Sequence, residues 1–175
     1  MKKLAIIIPA YKPRFLRETL DSIAKQNNHD FTVYIGDDAS PYQLDTIVDH
    51  YKNKFDIIYH RFEQNMGKKD LPGHWERCIL LSEEEFIWLF SDDDLMPFDR
   101  VARVIQALQK HSGGKYIFRF PLEVVVEYGK LKYKNPPFNT DLTSGYEFLL
   151  DKLSGRISSA ACAYLFSRTV WEQTG

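Results

Sequence analysis

The stretch Leu4-Ala5-Ile6-Ile7-Ile8, followed by Pro9-Ala10-Tyr11, decides the fold. Its apolar run is continuous, with no polar residue at alternate positions. A strand wetted on one side would alternate; an unbroken run is expected where helices cover both faces of a parallel sheet. Pro9 has no amide hydrogen and is expected to end the strand, with a loop running through Pro13.

The same rhythm continues downstream. Phe15, Leu16, Leu20, Ile23 and Ala24 recur at helical spacing before Asn27 and Asn28, predicting a crossover helix. A second strand over 31–35 is closed by Gly36-Asp37-Asp38-Ala39-Ser40-Pro41, and a helix is expected over 43–54. A third strand, 57–62, leads into a loop, 64–73, rich in turn formers and cations, and then a helix over 74–81. The fourth strand, 86–90, runs into Ser91-Asp92-Asp93-Asp94. Val101, Val104, Ile105 and Leu108 mark one face of a helix over 98–110 that ends at Ser112-Gly113-Gly114. Beyond it the pattern loosens into strand-like 116–120 and 124–128, polar 130–139, a helix over 145–153, strand-like 160–166 and the start of a helix over 169–173. The expectation is one α/β domain over 1–175, with a regular half over 1–112 and the start of a second half over 113–175. Its ending just after a helix start reads as a truncation.

A chain of 175 residues, 44% of them hydrophobic, can bury one sizeable core. Its 23 basic and 24 acidic residues leave a net charge of −1, so no basic footprint for nucleic acid or an anionic membrane is present. Cys78 and Cys162 stand in apolar contexts without CxxC spacing and read as buried, reduced thiols. Pro9 cuts the first apolar run well short of a signal core or membrane span. A cytoplasmic location is expected, compatible with peripheral membrane association of a longer parent protein. His29, His50, His60 and His111 share no ligand spacing, which argues against zinc. Neither GxGxxG nor GxxxxGK[ST] occurs, so neither a dinucleotide site nor a P-loop is indicated.

Chemistry in open α/β sheets sits in the crevice beyond the carboxyl ends of the parallel strands. Pro9-Ala10-Tyr11, Asp37-Asp38, residues 65–69 and Asp92-Asp93-Asp94 are expected to converge there. Two carboxylates about 4 Å apart repel by roughly 4 kcal/mol at an effective dielectric of about 20, and a divalent cation reverses that sign. Hard cations are commonly held by one or two carboxylates with phosphate oxygens and water, so the acidic tip suits a cation arriving with a diphosphate. The plainer reading is an acidic turn capping the helix that begins near Phe98. Asp37-Asp38 reads either as an Asx turn or as an acceptor for a uracil imide or ribose hydroxyls. Tyr11 offers an aromatic face to a nucleobase or packs at the rim. Lys68 and Lys69 either reach phosphates or solvate a loop. Trp75 reads as a core anchor and His74 as a surface residue.

The order Ile6-Ile7-Ile8-Pro9-Ala10-Tyr11, Asp37-Asp38-Ala39-Ser40, Asn65-Met66-Gly67 and Phe90-Ser91-Asp92-Asp93-Asp94, with Asp99-Arg100 beyond, resembles glycosyltransferase family 2 up to about residue 110. The resemblance implies a GT-A fold, a Rossmann-like, mixed and mainly parallel sheet flanked by helices. It implies inverting transfer of a hexosyl or hexosaminyl group from a nucleotide-diphosphate sugar, a UDP-sugar favoured, to a hydroxyl of a glycan or lipid-linked acceptor in polysaccharide or glycan synthesis. It further implies that Pro9, Ala10 and Tyr11 line the nucleoside pocket, that Asp38 meets the nucleobase, and that Lys69 belongs to the nucleotide loop. Asp92 would face the ribose or sugar, and Asp93 would be the main ligand for Mn2+ or Mg2+ in a DxD-type motif, with Asp94 its rival. Two departures stand out: the family's common Asp-Ala-Asp-Asp reads Ser91-Asp92-Asp93-Asp94, and Pro97 comes one position early. The general base is expected beyond Gly175, since no context marks Glu147 or Asp151 for that role. The alternative is a non-catalytic nucleotide-sugar-binding module.

Overall fold

The structure, a computed structural model, describes residues 2–110, 117–126, 130–138 and 140–174. Four strands, β1 (Leu4–Ala10), β2 (Phe31–Asp37), β3 (Asp56–Arg61) and β4 (Phe86–Leu89), run parallel in the spatial order β3-β2-β1-β4. On the far side of β4 the sheet continues through β8 (Tyr164–Ser167), antiparallel to it, to β5 (Ile117–Arg119) at the edge. Between these two in sequence, β6 (Glu123–Val126) and β7 (Lys130–Lys134) form a separate antiparallel pair. The α/β class with a mixed, mainly parallel sheet is as expected.

The unbroken apolar run of β1 resolves into two cores. Leu4, Ile6, Ile8 and Ala10 face one layer together with α1 (Leu16–Ala24), α2 (Leu44–Asp49) and α4 (Arg100–Lys110), through Leu16, Leu20, Ile23, Leu44, Val48, Val101 and Val104. Ala5 and Ile7 face the opposite layer, where Cys78 and Ile79 of α3 (Leu71–Ile79) pack with partly buried Trp171 of α6 (Arg168–Thr174). Every β1 residue named here is at most 1% exposed, which explains why no polar residue is tolerated at alternate positions. α3 comes so close to β2 that a Cβ added at Gly36 would lie 2.2 Å from Cys78 Sγ. The remaining helix, α5 (Gly145–Leu153), buries none of its residues.

Several boundaries differ from expectation. β1 continues through Pro9 to Ala10. Ile7 O accepts from Phe90 N on the β4 side and Ala10 O from Asp38 N on the β2 side. Because successive residues address opposite neighbours, the hydrogen missing at Pro9 falls on the β4 side, where pairing has already ended at Leu89. β2 likewise extends to Asp37, which puts that carboxylate inside the sheet. α3 starts at Leu71 because the Asp70 side chain accepts from Gly73 N at 2.9 Å and Pro72 fits the first turn. α2 is only six residues long, and the polar segment after residue 130 supplies β7. Residues 160–166 are not one strand: Ala161–Ala163 form a 3-10 turn ahead of β8. His74 is buried, contrary to expectation, while Trp75 is half-buried against the second core. Ser112-Gly113-Gly114, Tyr116, Tyr128, Asn139 and Gly175 lie outside the described residues. Among the described residues, no helix is long and apolar enough to cross a membrane.

Candidate functional site

The carboxyl ends of β1 and β4 are tied together by the first aspartate of the acidic run. Asp92 Oδ2 accepts from Tyr11 N at 3.1 Å and Lys12 N at 3.3 Å. Asp93 is exposed, and Ser91 Oγ donates to its Oδ1 at 2.7 Å. Asp94 is half-buried and accepts from the Cys162 thiol. Burial holds the Asp92 carboxyl above its usual range, opposed by the Tyr11 and Lys12 amides and reinforced by the charge of Asp93. Asp94 is raised in the same way by burial, opposed by the Cys162 bond and reinforced by Asp93 and Asp92. The Cys162 thiol, itself half-buried, is pushed far up by burial and by the carboxylate of Asp94.

A second anchor holds the chain just past this run. Buried Gln26, two residues beyond α1, donates through Nε2 to Pro97 O at 2.8 Å and accepts through Oε1 from Val101 N at 3.0 Å. Met96 N donates to Ser22 Oγ at 3.0 Å. The first turn of α4 is thus served by Gln26 and not by the acidic run, so the capping explanation for Asp92 to Asp94 does not hold.

Asp37 and Asp38 are both buried, with divided tasks. Asp37 accepts from Ser40 N at 2.7 Å, from the Tyr59 hydroxyl, and from Arg61 Nη1 at 2.9 Å. Burial and the bond to Asp37 push the Tyr59 hydroxyl up. Arg61 also reaches Ser40 O at 2.7 Å, and Ser40 Oγ donates to Tyr11 O at 2.6 Å, lashing the turn to the end of β1. Ala39, with φ 53°, turns the chain through the left-handed region between the aspartates and Ser40. Asp38 accepts from Met66 N at 2.7 Å, Gly67 N at 2.9 Å and Arg77 Nη2. A Cβ at Gly67 would sit 2.8 Å from Asp38 Oδ2, so this close approach requires glycine. Asp38 is 3% exposed, with both its oxygens bonded to the 65–67 loop or Arg77.

The remaining expected positions fall as follows. Pro9 is half-buried, Tyr11 exposed at the rim, and Ala10 enclosed in the core beneath them. Lys69 is exposed on the turn before α3, its N–H donating to Met66 O at 2.9 Å. Glu147 is committed to the capping box of α5 with Ser144, and Asp151 pairs with Arg156 at 2.8 Å. Gln26, Tyr59, Arg61, Arg77 and Cys162 were not expected at the site; for Arg77 and His74 the only sequence signal was their place after the third strand. Among the described residues no three His, Cys, Asp or Glu side chains converge as a ready-made metal-ligand set. What is present, an acidic tip in which burial and neighbouring charge raise the Asp92 and Asp94 carboxyls, fits a hard divalent cation that would bring phosphate oxygens and water as its other ligands.

A family model described as Glycosyl transferase family 2 matches residues 5–170. The poly(ribitol-phosphate) beta-N-acetylglucosaminyltransferase TarS of Staphylococcus aureus is 28% identical over 114 residues, covering 63% of this chain and 20% of that protein. The abequosyltransferase RfbV of Salmonella typhimurium is 30% identical over 104 residues, covering 57% of this chain and 30% of RfbV. Among solved structures, S. aureus TarS 1-349 in complex with UDP-GlcNAc aligns with a TM-score of 0.60 and 25% identity, over 67% of this chain and 33% of that one. The Pyrobaculum calidifontis mannosyltransferase PcManGT, in complex with GDP-Man and Mn2+, shares the fold with a TM-score of 0.58 at 18% identity, over 67% and 34% of the two chains. The chain thus spans between a fifth and about a third of the length of these relatives. Its fold is GT-A-like.

Proposed function

Because the chain belongs to glycosyl transferase family 2, we propose that the carboxyl edge of its sheet binds a nucleotide-diphosphate sugar with a divalent cation and serves its transfer to an acceptor hydroxyl with inversion. The observation that carries this reading is the convergence of Asp92 to Asp94 with the end of β1, where Tyr11 and Lys12 amides bind Asp92. Tyr11 supplies an exposed ring at the rim for the nucleobase, with Pro9 behind it. Asp38 works at one remove, fixing the 65–67 loop as a wall of that pocket. Lys69 stands on the following turn within reach of solvent-borne phosphate.

Asp92 keeps Oδ2 on the Tyr11 and Lys12 amides just past β1, and its other oxygen is assigned to the ribose or sugar. Asp93, the most exposed of the three, holds the Mn2+ or Mg2+ of a DxD-type motif, with Asp94 the rival ligand. A bound cation supplies neutralisation of the charge that develops on the leaving diphosphate. The chain's own residues then keep the donor's anomeric carbon at the crevice mouth, open to an acceptor hydroxyl whose proton a carboxylate base removes. The named specificities of the relatives support a glycan or polysaccharide acceptor, and UDP-GlcNAc in the TarS complex supports a UDP-sugar as donor. We place the protein in the cytoplasm, the regular half over 1–112 as the donor side and 113–175 as the start of the acceptor side of one domain.

Calorimetric titration with UDP-, GDP- and dTDP-sugars, with and without Mn2+, tests the proposal. Metal-enhanced binding of one nucleotide class, UDP expected, supports it; absence of binding across the panel in the presence of Mn2+ would sink it.

A further inference from the structure

Arg119 is the last residue of β5 and stands directly opposite Tyr164 of β8. Its guanidinium lies 4.4 Å from the ring centroid of Phe138 and 5.3 Å from that of Phe148 on α5. Nη1 is buried and has no hydrogen-bond partner. Two phenyl faces offset part of the cost of desolvating a guanidinium, but they offer no acceptor for its N–H groups. A buried donor left unmade is expensive, and a charged one more so.

The position of this cation is informative. β4 and β5 are both antiparallel to β8, so β5 runs with the parallel strands and Arg119 lies on the same carboxyl edge as Asp92 to Asp94. The connection is short: Phe120 N donates to Ala163 O at 2.8 Å, and the preceding residue, Cys162, gives its thiol to Asp94. In the order β1-β4-β8-β5, Arg119 is three strands from β1, about 14 Å at about 4.8 Å per strand. That is the side away from Tyr11 and Asp38, where the nucleotide is expected.

We propose that Arg119 is an anion-recognition point for the acceptor, taking an oxyanion, a phosphate ester or a carboxylate, beside the sugar-transfer site. The guanidinium's planar donor set matches both groups, and stacking between Phe138 and Phe148 fixes its orientation. The assignment to an acceptor rests on the donor reading of the crevice given above; the oxyanion site itself does not.

The test follows the Arg119 Nε–Hε NMR signal of the full chain during titration with inorganic phosphate, before and after saturation with UDP and Mg2+. Phosphate is expected to shift that signal in both states, while glycerol leaves it unmoved. Arg119→Gln is expected to weaken phosphate binding about tenfold or more, the size of one charge-assisted hydrogen bond, and to leave UDP binding within about twofold. Arg119→Lys keeps the charge and an intermediate affinity. No phosphate-dependent shift in the wild-type protein would overturn the proposal whether or not the glutamine variant folds. Loss of the phosphate effect once UDP is bound, or equal weakening of both ligands in Arg119→Gln, would assign the residue to the donor and overturn the acceptor role. If UDP fails to bind while phosphate still shifts Arg119, the donor reading falls and takes the acceptor assignment with it.

Discussion

Asp38 illustrates how one buried carboxylate can organise the loops at the strand ends. It accepts from Met66 N, Gly67 N and Arg77, and Arg77 in turn stacks 3.9 Å from the Phe62 ring centroid. Asp38→Ala strands the Arg77 charge and two amides, and should cost roughly 3–5 kcal/mol by urea unfolding; a loss below about 1 kcal/mol would show that the loop holds itself. His74 sits in the same cluster, its Nδ1 3.6 Å from Asp38 Oδ1. Burial pushes its imidazole below the usual range, with Asp38 opposing and Arg77 reinforcing that shift. The folded state therefore binds fewer protons than the unfolded one just below pH ~6.5, so stability is complete above that pH and declines as pH falls through the window. His74→Gln should flatten this decline, as measured by unfolding at about pH 7 and about pH 5.5; an unchanged slope would exonerate His74. The acidic run was legible in the sequence because it stands next to an obvious strand. Arg61, Arg77 and Cys162 were not, since they lie 24, 39 and 68 residues from their partners Asp37, Asp38 and Asp94, and only the topology brings them together.

Elements with a strong local signature matched their sequence reading, and those defined by pairing matched in part: β5 falls inside the expected 116–120, whereas β8 starts four residues after the expected 160. The continuous apolar run of β1 and the stripe Val101, Val104, Leu108 of α4 are set by burial, which hydrophobicity reports directly. The three residues of β5 and four of β8 exist because each pairs with the other and with β4, which no local window contains. Pro9 misled for a related reason: its cost depends on which neighbour it faces, a property of the assembled sheet. The loop after the acidic run depends on a similar long-range tie, the Gln26 side chain between α1 and α4. Gln26→Ala leaves Val101 N and Pro97 O without these partners and should destabilise the protein by about 1–3 kcal/mol. Amide hydrogen exchange over residues 95–101 should rise at the same time; unchanged protection there would mean that α4 packing alone holds the loop.

In the assembled molecule the sheet order gathers the end of β1, the Asp37-Asp38 turn, the 65–67 loop and Asp92 to Asp94 on one edge, with Arg119 farther along the same edge. The sequence conveyed that edge through strand-helix alternation, including which four segments meet there. It did not convey that Asp37 and Asp38 are spent on holding the loops, because a carboxylate's availability depends on the donors that surround it after folding. In the function proposed above, the acidic run after β4 is the part that meets the cation and diphosphate. The most direct check is titration of UDP into the wild-type chain and Asp93→Asn, each with and without Mn2+. Mn2+ should strengthen UDP binding to the wild type by about tenfold or more, and that gain should vanish in Asp93→Asn while metal-free binding is retained. An equal Mn2+ gain in both proteins, or none in the wild type, would contradict the assignment of the cation site to Asp93.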